Sequence, residues 1–287
     1  MKGRLRSWPA PFFVGERFHA LLRGVTWTVR SALAVHGIPF QFRRLRRILG
    51  AMGSEQLRQV LRGVDVSRWN DVDWEALRGI VEFVGFRVTW GLAGVDLKWK
   101  EHLAAIRSIG ALPIAYHVED PHSKGVAQVE HFLATLGDES GAARMLDIEP
   151  TKGAKPATAQ QWADVAKDFA FDLSRERGAP PILYGSPAFL DSLSLHPDLS
   201  GCQLWLAQWI EGAEKMLAPP PSEPWTSRAD HVRGDPPKLW IPRPWHRATI
   251  WQEGAHPQPD GTFLDWDRFE GTRAEFETVL ATGLTHR

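Results

Sequence analysis

The chain has 287 residues, 43% of them hydrophobic, and a formal net charge of zero, enough to build one large α/β domain or two smaller ones. Cys202 is the only cysteine, which excludes an intrachain disulfide and a cysteine-based metal site, and the eleven histidines show no H-E-x-x-H or similar metal-ligand spacing. No apolar run approaches the ~18–20 residues of a membrane helix, and neither a metal nor another cofactor is expected.

The neutral total conceals an asymmetry. Residues 1–60 hold 11 Lys+Arg against two acids, Glu16 and Glu55, so the remainder of the chain is acidic. Arginines interrupt the apolar stretches near the start, so no secretory signal peptide is expected. A helix-like piece over Phe18–Val35 precedes the cluster Arg43-Arg44-Leu45-Arg46-Arg47. The segment reads as a basic, mainly helical N-terminal extension that docks on an anionic surface or an acidic partner. The plainer alternative is a helical appendage with solvated arginines. It carries no nucleic-acid-binding motif, and no nucleic acid is expected as a partner.

From Gly63 onward strands alternate with helices, and residues 61–287 read as one barrel domain. Strands are expected at 63–67, 81–89, 112–117, 144–149, 181–184, 204–209, 248–252 and 262–265. Helical patterns fall at 73–79, 97–109, 123–136 and 157–177, the last stopped by Gly178 and Pro180. Eight strands, the earlier ones followed by helices, predict an irregular (β/α) barrel of the TIM type. The stretch at about 210–247 breaks the rhythm with eight prolines between Pro219 and Pro244, together with Trp225, Trp240 and Trp245. A proline-stiffened insertion of this kind either walls a sugar site with its aromatics or packs on its own tryptophans.

The chemistry centres on Arg144-Met145-Leu146-Asp147-Ile148-Glu149-Pro150. Side chains at i and i+2 of a strand share a face, so Asp147 and Glu149 point to one side. Neighbouring carboxyls repel, which raises the pKa of one of them. A raised acid beside an ionised partner suits general acid catalysis at a glycosidic bond. The bland reading is a strand-end cap or an exposed ion pair. Reactive residues of a βα barrel sit at the C-terminal ends of its strands, and Asp65, Asp147, Glu149 and Asp265 meet that rule. Closure of the barrel places Asp65 beside Asp265, with the central acidic strand across the mouth. Tyr116, His117, Tyr184, Gln208, Trp251 and Gln252 fall at other strand ends. Carboxylates, flat rings and amides together suit a carbohydrate.

Seven short motifs occur in register: Gly63-Val64-Asp65-Val66-Ser67-x-Trp69, Ala115-Tyr116-His117, Leu146-Asp147-Ile148-Glu149, Pro181-Ile182-Leu183-Tyr184, Leu204-Trp205-Leu206-Ala207, Trp251-Gln252 and Leu264-Asp265-Trp266-Asp267-Arg268-Phe269. In this order they resemble glycoside hydrolase family 25, over about residues 62–270. The resemblance implies a flattened, irregular barrel and N-acetylmuramidase (lysozyme) activity on peptidoglycan glycan strands. Carried over, it makes Glu149 the general acid/base, with Asp147, Asp65 and Asp265 as the other acids of the site. It implies retention of configuration assisted by the substrate's N-acetyl carbonyl, and leaves Asp147 and Asp265 both as candidates for stabilising the intermediate. Tyr116, His117, Tyr184, Trp205, Gln208 and Trp251 would line the groove, although Trp205 by itself also reads as core.

Some residues depart from the family pattern. Thr89-Trp90-Gly91 stands where Thr-Glu-Gly is usual, Val118-Glu119-Asp120 follows His117 in place of an aromatic, and Asp267 replaces a frequent asparagine. The expected site of action is the cell wall, reached by release at phage lysis or by carriage on a phage tail or injection particle, with residues 1–60 as its anchor. A non-catalytic glycan-binding or structural barrel is the alternative. A chitinase-like enzyme ranks last, because Gly141–Leu146 lacks the further acids and glycine of that pattern.

Overall fold

Along each strand, alternate side chains enter two separate apolar layers, so both faces of the sheet are buried. The structure, a computed structural model, describes residues 60–139, 141–151, 153, 155–209, 239–257 and 263–282, all within the unit Arg58–Arg287. The basic extension expected over residues 1–60 therefore lies, but for Val60, outside the described residues. So does the insertion at about 210–247 up to residue 238.

Nine strands are described: β1 (Val60–Val66), β2 (Phe83–Trp90), β3 (Gly94–Val95), β4 (Leu112–Val118), β5 (Ala143–Asp147), β6 (Ile182–Gly185), β7 (Gln203–Ala207), β8 (Ile250–Pro257) and β9 (Phe263–Glu270). The helices are α1 (Trp74–Leu77), α2 (Trp99–Ser108), α3 (Gly125–Leu136), α4 (Ala159–Arg177), α5 (Pro187–Ser192) and α6 (Arg273–Thr282). Hydrogen-bonded neighbours run β1-β9-β8-β7-β6-β5-β4-β2, and β2 pairs back onto β1. Eight strands thus close a barrel, as expected, and the two-residue β3 hangs on the edge of β2.

The irregularity lies in β9. It was expected as a short last strand with Asp265 at its C-terminal end. Instead it runs to Glu270, antiparallel to both β8 and β1. Pro257 and Phe263 are too close in sequence for a parallel crossover, which needs a dozen or more residues. Asp265 therefore lies near the start of its strand, and the reversal still brings it to the same rim as Asp65.

The inner layer includes Leu61, Phe83, Ile114, Met145, Ile182, Trp205, Ile250 and Phe269. Helix α6, not anticipated from the sequence, plugs the far end: the Phe276 ring lies 4.7 Å from Phe83 and 4.6 Å from Phe269. The outer layer packs Val64, Phe86, Leu146, Leu183 and Leu206 together with helix residues such as Ile106, Phe132 and Phe169. Helix α4 is bounded as its sequence demands. Thr158 and Gln161 form a reciprocal capping box, and Gly178 closes it in the left-handed conformation at φ 72°. Trp245, at the end of the insertion, is buried in the outer layer and donates from Nε1 to Cys202 O at 3.0 Å. It is core, not part of a sugar-stacking wall.

Helices α3 and α4 meet at a glycine. A Cβ on Gly125 would lie 2.6 Å from Val165 O and 2.7 Å from Phe169 N, both backbone atoms that cannot swing aside. Gly125→Ala is expected to lower stability by about 1–3 kcal/mol, read as a lower urea midpoint with an unchanged slope.

Candidate active site

The pleat decides which strand-end residues face the barrel mouth. Asp65 shares its face with Leu61, Asp147 with Met145, Tyr184 with Ile182 and Gln252 with Ile250, each two or four residues along a strand from an inner-layer side chain. These polar residues, with Asp265 and Glu149, line a cleft of about 520 Å³ above the inner layer. Arg87, Tyr116, Trp69 and Trp209 complete its walls.

Asp65 and Asp265 are direct register partners across β1 and β9. Asp147 ends β5 and is buried, with Oδ1 unpartnered among the described residues. Glu149, two residues on, opens to the cleft. Burial raises all four carboxyls. Asp65 is pushed well above the usual range by burial and then by the charges of Asp265 and Glu149. Asp147 is pushed up likewise by burial, then by Glu149 and Asp65. Burial raises Glu149, with Arg87 pulling the other way, and burial followed by Glu149 brings Asp265 to about 6. Beneath them Asp267 is also raised, chiefly by burial, while its Oδ1 accepts from Trp205 Nε1 at 2.8 Å.

One amide orders the upper side of this cluster. Gln252 Oε1 accepts from Tyr184 OH at 3.1 Å and from Trp209 Nε1 at 3.0 Å. Two donors on the oxygen fix the amide's orientation, so its Nε2 donates to Asp65 Oδ2, at 2.8 Å. Tyr116 OH donates to Val66 O at 3.2 Å, tying β4 to the end of β1. Arg87 is held by Asp96, with Nε 2.9 Å from Oδ2, and supplies positive charge to the acid cluster.

Of the ring and amide residues expected in the groove, Tyr116 and Tyr184 lie there. Four others do not. His117 has the opposite pleat parity to Tyr116, so it enters the outer layer and is fully buried. Its ring stacks on Phe169 at 5.2 Å, and Thr89 Oγ1 lies 2.7 Å from Nδ1. Gln128 Oε1, 2.9 Å from Nε2, also accepts from Asp120 N, so Nε2 carries the proton and Nδ1 accepts from Thr89. Burial lowers this histidine to about 4. Trp251 likewise has the opposite parity to Gln252. It is buried and donates from Nε1 to Gln208 O at 2.6 Å. The Gln208 side chain accepts from Trp240 N at 2.8 Å, securing the returning insertion. Trp205 has the inward parity but sits one layer too deep, beneath the acids. Gly85 makes room there: a Cβ would meet both Asp65 Cβ and Trp205 at 3.0 Å.

The sequence reading missed Arg87 and Trp209. Counting in twos along β2 from the inner-layer Phe83 reaches Arg87. Counting in twos from the inner-layer Trp205 likewise reaches Trp209, the last residue of the strand expected at 204–209, although β7 itself ends at Ala207. Among the described residues no group of three or more His, Cys, Asp or Glu is arranged to hold a metal ion.

Residues 64–252 match the family described as glycosyl hydrolases family 25. The fold is similar to that of a family GH25 lysozyme from Aspergillus fumigatus, at 21% identity and TM-score 0.57 over 78% of this chain and 100% of that one. A family 25 glycosyl hydrolase from Bacillus anthracis aligns at 22% identity and TM-score 0.58, over 80% of this chain and 95% of that one. A bacterial lysozyme from Streptomyces coelicolor aligns at 18% identity and TM-score 0.61, over 77% and 97%. No curated protein matches the chain.

The raised carboxyls make stability depend on pH. Asp265 binds its proton more tightly folded than unfolded, about 6 against an ordinary 3.8. Its contribution is therefore fully present below about pH 4 and is lost as pH rises through about 6. Asp265→Asn is expected to keep on the order of 2 kcal/mol that the wild type loses between about pH 4 and pH 7, measured by urea unfolding at both pH values.

Proposed function

The chain belongs to glycosyl hydrolases family 25, and from that premise we propose that it is an N-acetylmuramidase. It hydrolyses the β-1,4 bond between N-acetylmuramic acid and N-acetylglucosamine in peptidoglycan, with retention of configuration. The observation that carries this reading is the convergence of Asp65, Asp147, Glu149 and Asp265 on one cleft at the mouth of a closed barrel.

Glu149 is the general acid/base in this reading. It opens to the cleft, and its raised proton affinity keeps a proton available for the leaving oxygen. The substrate's N-acetyl carbonyl oxygen attacks the anomeric carbon as the glycosidic bond breaks, giving an oxazolinium-like intermediate. Ionised Glu149 then takes a proton from the water that attacks the same carbon and reopens the ring. Both displacements occur at one centre, so configuration is retained. Asp147 and Asp265 both stand beside Glu149 electrostatically and share the candidacy for stabilising the cationic intermediate. Asp65, fixed by Gln252, adds to the electrostatic pressure that raises Asp147. Tyr184 and Trp209 flank the sugar.

Residues 1–60 are assigned a docking role on a phage tail or injection particle. Support comes from their 11 Lys+Arg against two acids. Replacing Arg43, Arg44, Arg46 and Arg47 by glutamine in the full chain is expected to leave hydrolysis of soluble glycan strands intact while abolishing incorporation into the particle. Unchanged incorporation rejects the role.

The muramidase reading is tested by reducing-end release from purified peptidoglycan, with mass spectrometry of the new ends. Wild type is expected to yield reducing N-acetylmuramic acid, first seen by NMR as the β anomer. Glu149→Gln is expected to lower the rate by about 10²–10⁴-fold. Reducing N-acetylglucosamine ends redirect the assignment to a glucosaminidase. No release from several wall types leaves a glycan-binding barrel.

A further inference from the structure

A second cavity, of about 380 Å³, opens beside the acid cleft. The two share Trp69, Arg87, Val118 and Thr151 as walls, so the cavity is a lateral annex of the cleft. Its chemistry differs from that of the acid cluster. The Arg68 guanidinium lies 4.4 Å from the centre of the Trp69 ring and 5.0 Å from that of Trp90. Its backbone N–H donates to Asp96 Oδ2 at 2.9 Å, which anchors the residue independently of its side chain.

Two of the acids around Arg68 have polar partners of their own. Asp96 is ion-paired with Arg87 and also accepts from Lys98 N at 3.0 Å. Asp120 uses both carboxylate oxygens locally, accepting from His122 N at 3.0 Å and from Ser123 Oγ at 2.6 Å. Glu119 is buried with neither oxygen partnered among the described residues. Burial, then the charges of Asp147 and Asp120, raise its pKa well above the ordinary carboxylate range. Arg68 itself makes no ion pair among the described residues, and its shielded Nε has no acceptor there. The annex thus presents a guanidinium that makes no ion pair among the described residues, held against aromatic rings in a cavity that shares walls with the acid cleft. The tryptophan faces serve the arginines: Arg87 also lies over Trp90, at 5.3 Å.

We propose that this annex is a subsite for a carboxylate borne by the glycan strand, with Arg68 as its receptor and Trp69 and Trp90 as the clamp that fixes the guanidinium. The inference rests on the peptidoglycan reading and deepens it. A cleft lined by acids repels an anionic strand, and Arg68 offsets that repulsion beside the reacting bond while orienting the strand. Trp90, where the family usually has an acid, is half of the clamp.

Two sources of the carboxylate exist: the stem peptide, or the lactyl group when no peptide is attached. Binding to the Glu149→Gln full-length protein is measured by calorimetry for three soluble tetrasaccharides: one with stem peptides, one peptide-free with lactyl carboxylates, and an N-acetylglucosamine oligomer with neither. Adding Arg68→Gln is expected to weaken a carboxylate-bearing ligand about tenfold and to leave the neutral oligomer within about twofold. The ligand that loses affinity names the source. Arg68→Lys is expected to recover part of the loss, because it restores charge without the planar fork. An equal loss for all three ligands, or no loss for any, overturns the proposal. Reducing-end release by wild type is measured alongside. Release with Arg68-independent binding defeats the annex alone, whereas no release defeats the muramidase reading and the annex with it.

Discussion

Burial of a cluster of carboxyl groups, with their mutual repulsion added to it, is the constraint on which this structure turns. Asp65, Asp147 and Asp267 are each pushed well above the ordinary range, and Asp265 to about 6, in a site whose walls exclude much of the solvent. Isolated buried charges of this kind are costly unless paired or protonated. Here the chain does both in part. Burial favours the protonated form most in the deepest members, while Glu149 opens to the cleft at the rim. The result is a set of titrations that belong to the cluster more than to any one residue, and a site held ready to exchange a proton.

What makes the cluster tolerable is its neighbours. Gln252 has its oxygen occupied by Tyr184 and Trp209, which turns its amide NH2 toward Asp65, to which it donates. Trp205 donates to Asp267 from below, and Arg87, braced by Asp96, stands at the edge. These contacts come from β2, β6, β7, β8 and the segment beyond β7. Opening the barrel at any one of them would leave buried polar groups unsatisfied, a larger loss than the bond itself. Closure of the sheet and protonation of the site are thus coupled. Helix α6 supports both by filling the far end with Phe276.

The outer layer has a polar element of its own. His117, Thr89 and Gln128 form a closed, neutral hydrogen-bonded chain between β2, β4 and α3, stacked on Phe169. It joins sheet to helix at the height of the mouth, next to the turn that carries Glu119 and Asp120. Residues that look like substrate ligands in a linear motif here help to set the position of the turn after β4, at the barrel mouth. The Arg68 clamp lies on the same side of the barrel, built from β2 and the segment after β1.

The sequence by itself determined the strand–helix rhythm, the closed barrel class and the acid set. Those follow from short-range rules: apolar periodicity, helix caps such as Thr158 and Gly178, and i, i+2 geometry at Asp147 and Glu149. Tyr116 and Tyr184 were legible for the same reason. The tertiary structure alone decided the direction of β9, which turns on a link too short for a crossover, and the presence of α6 as a plug. It also decided which strand-end residues face the cleft. His117 near the end of β4 and Trp251 near the start of β8 both point outward, because a one-residue offset reverses a side chain's face. Trp205 points inward but one layer too low. Trp90 and Arg68 look unrelated in the chain and meet only because β2 pairs with β1. Such contacts depend on register and depth across strands, and neither quantity is written in any local stretch of sequence.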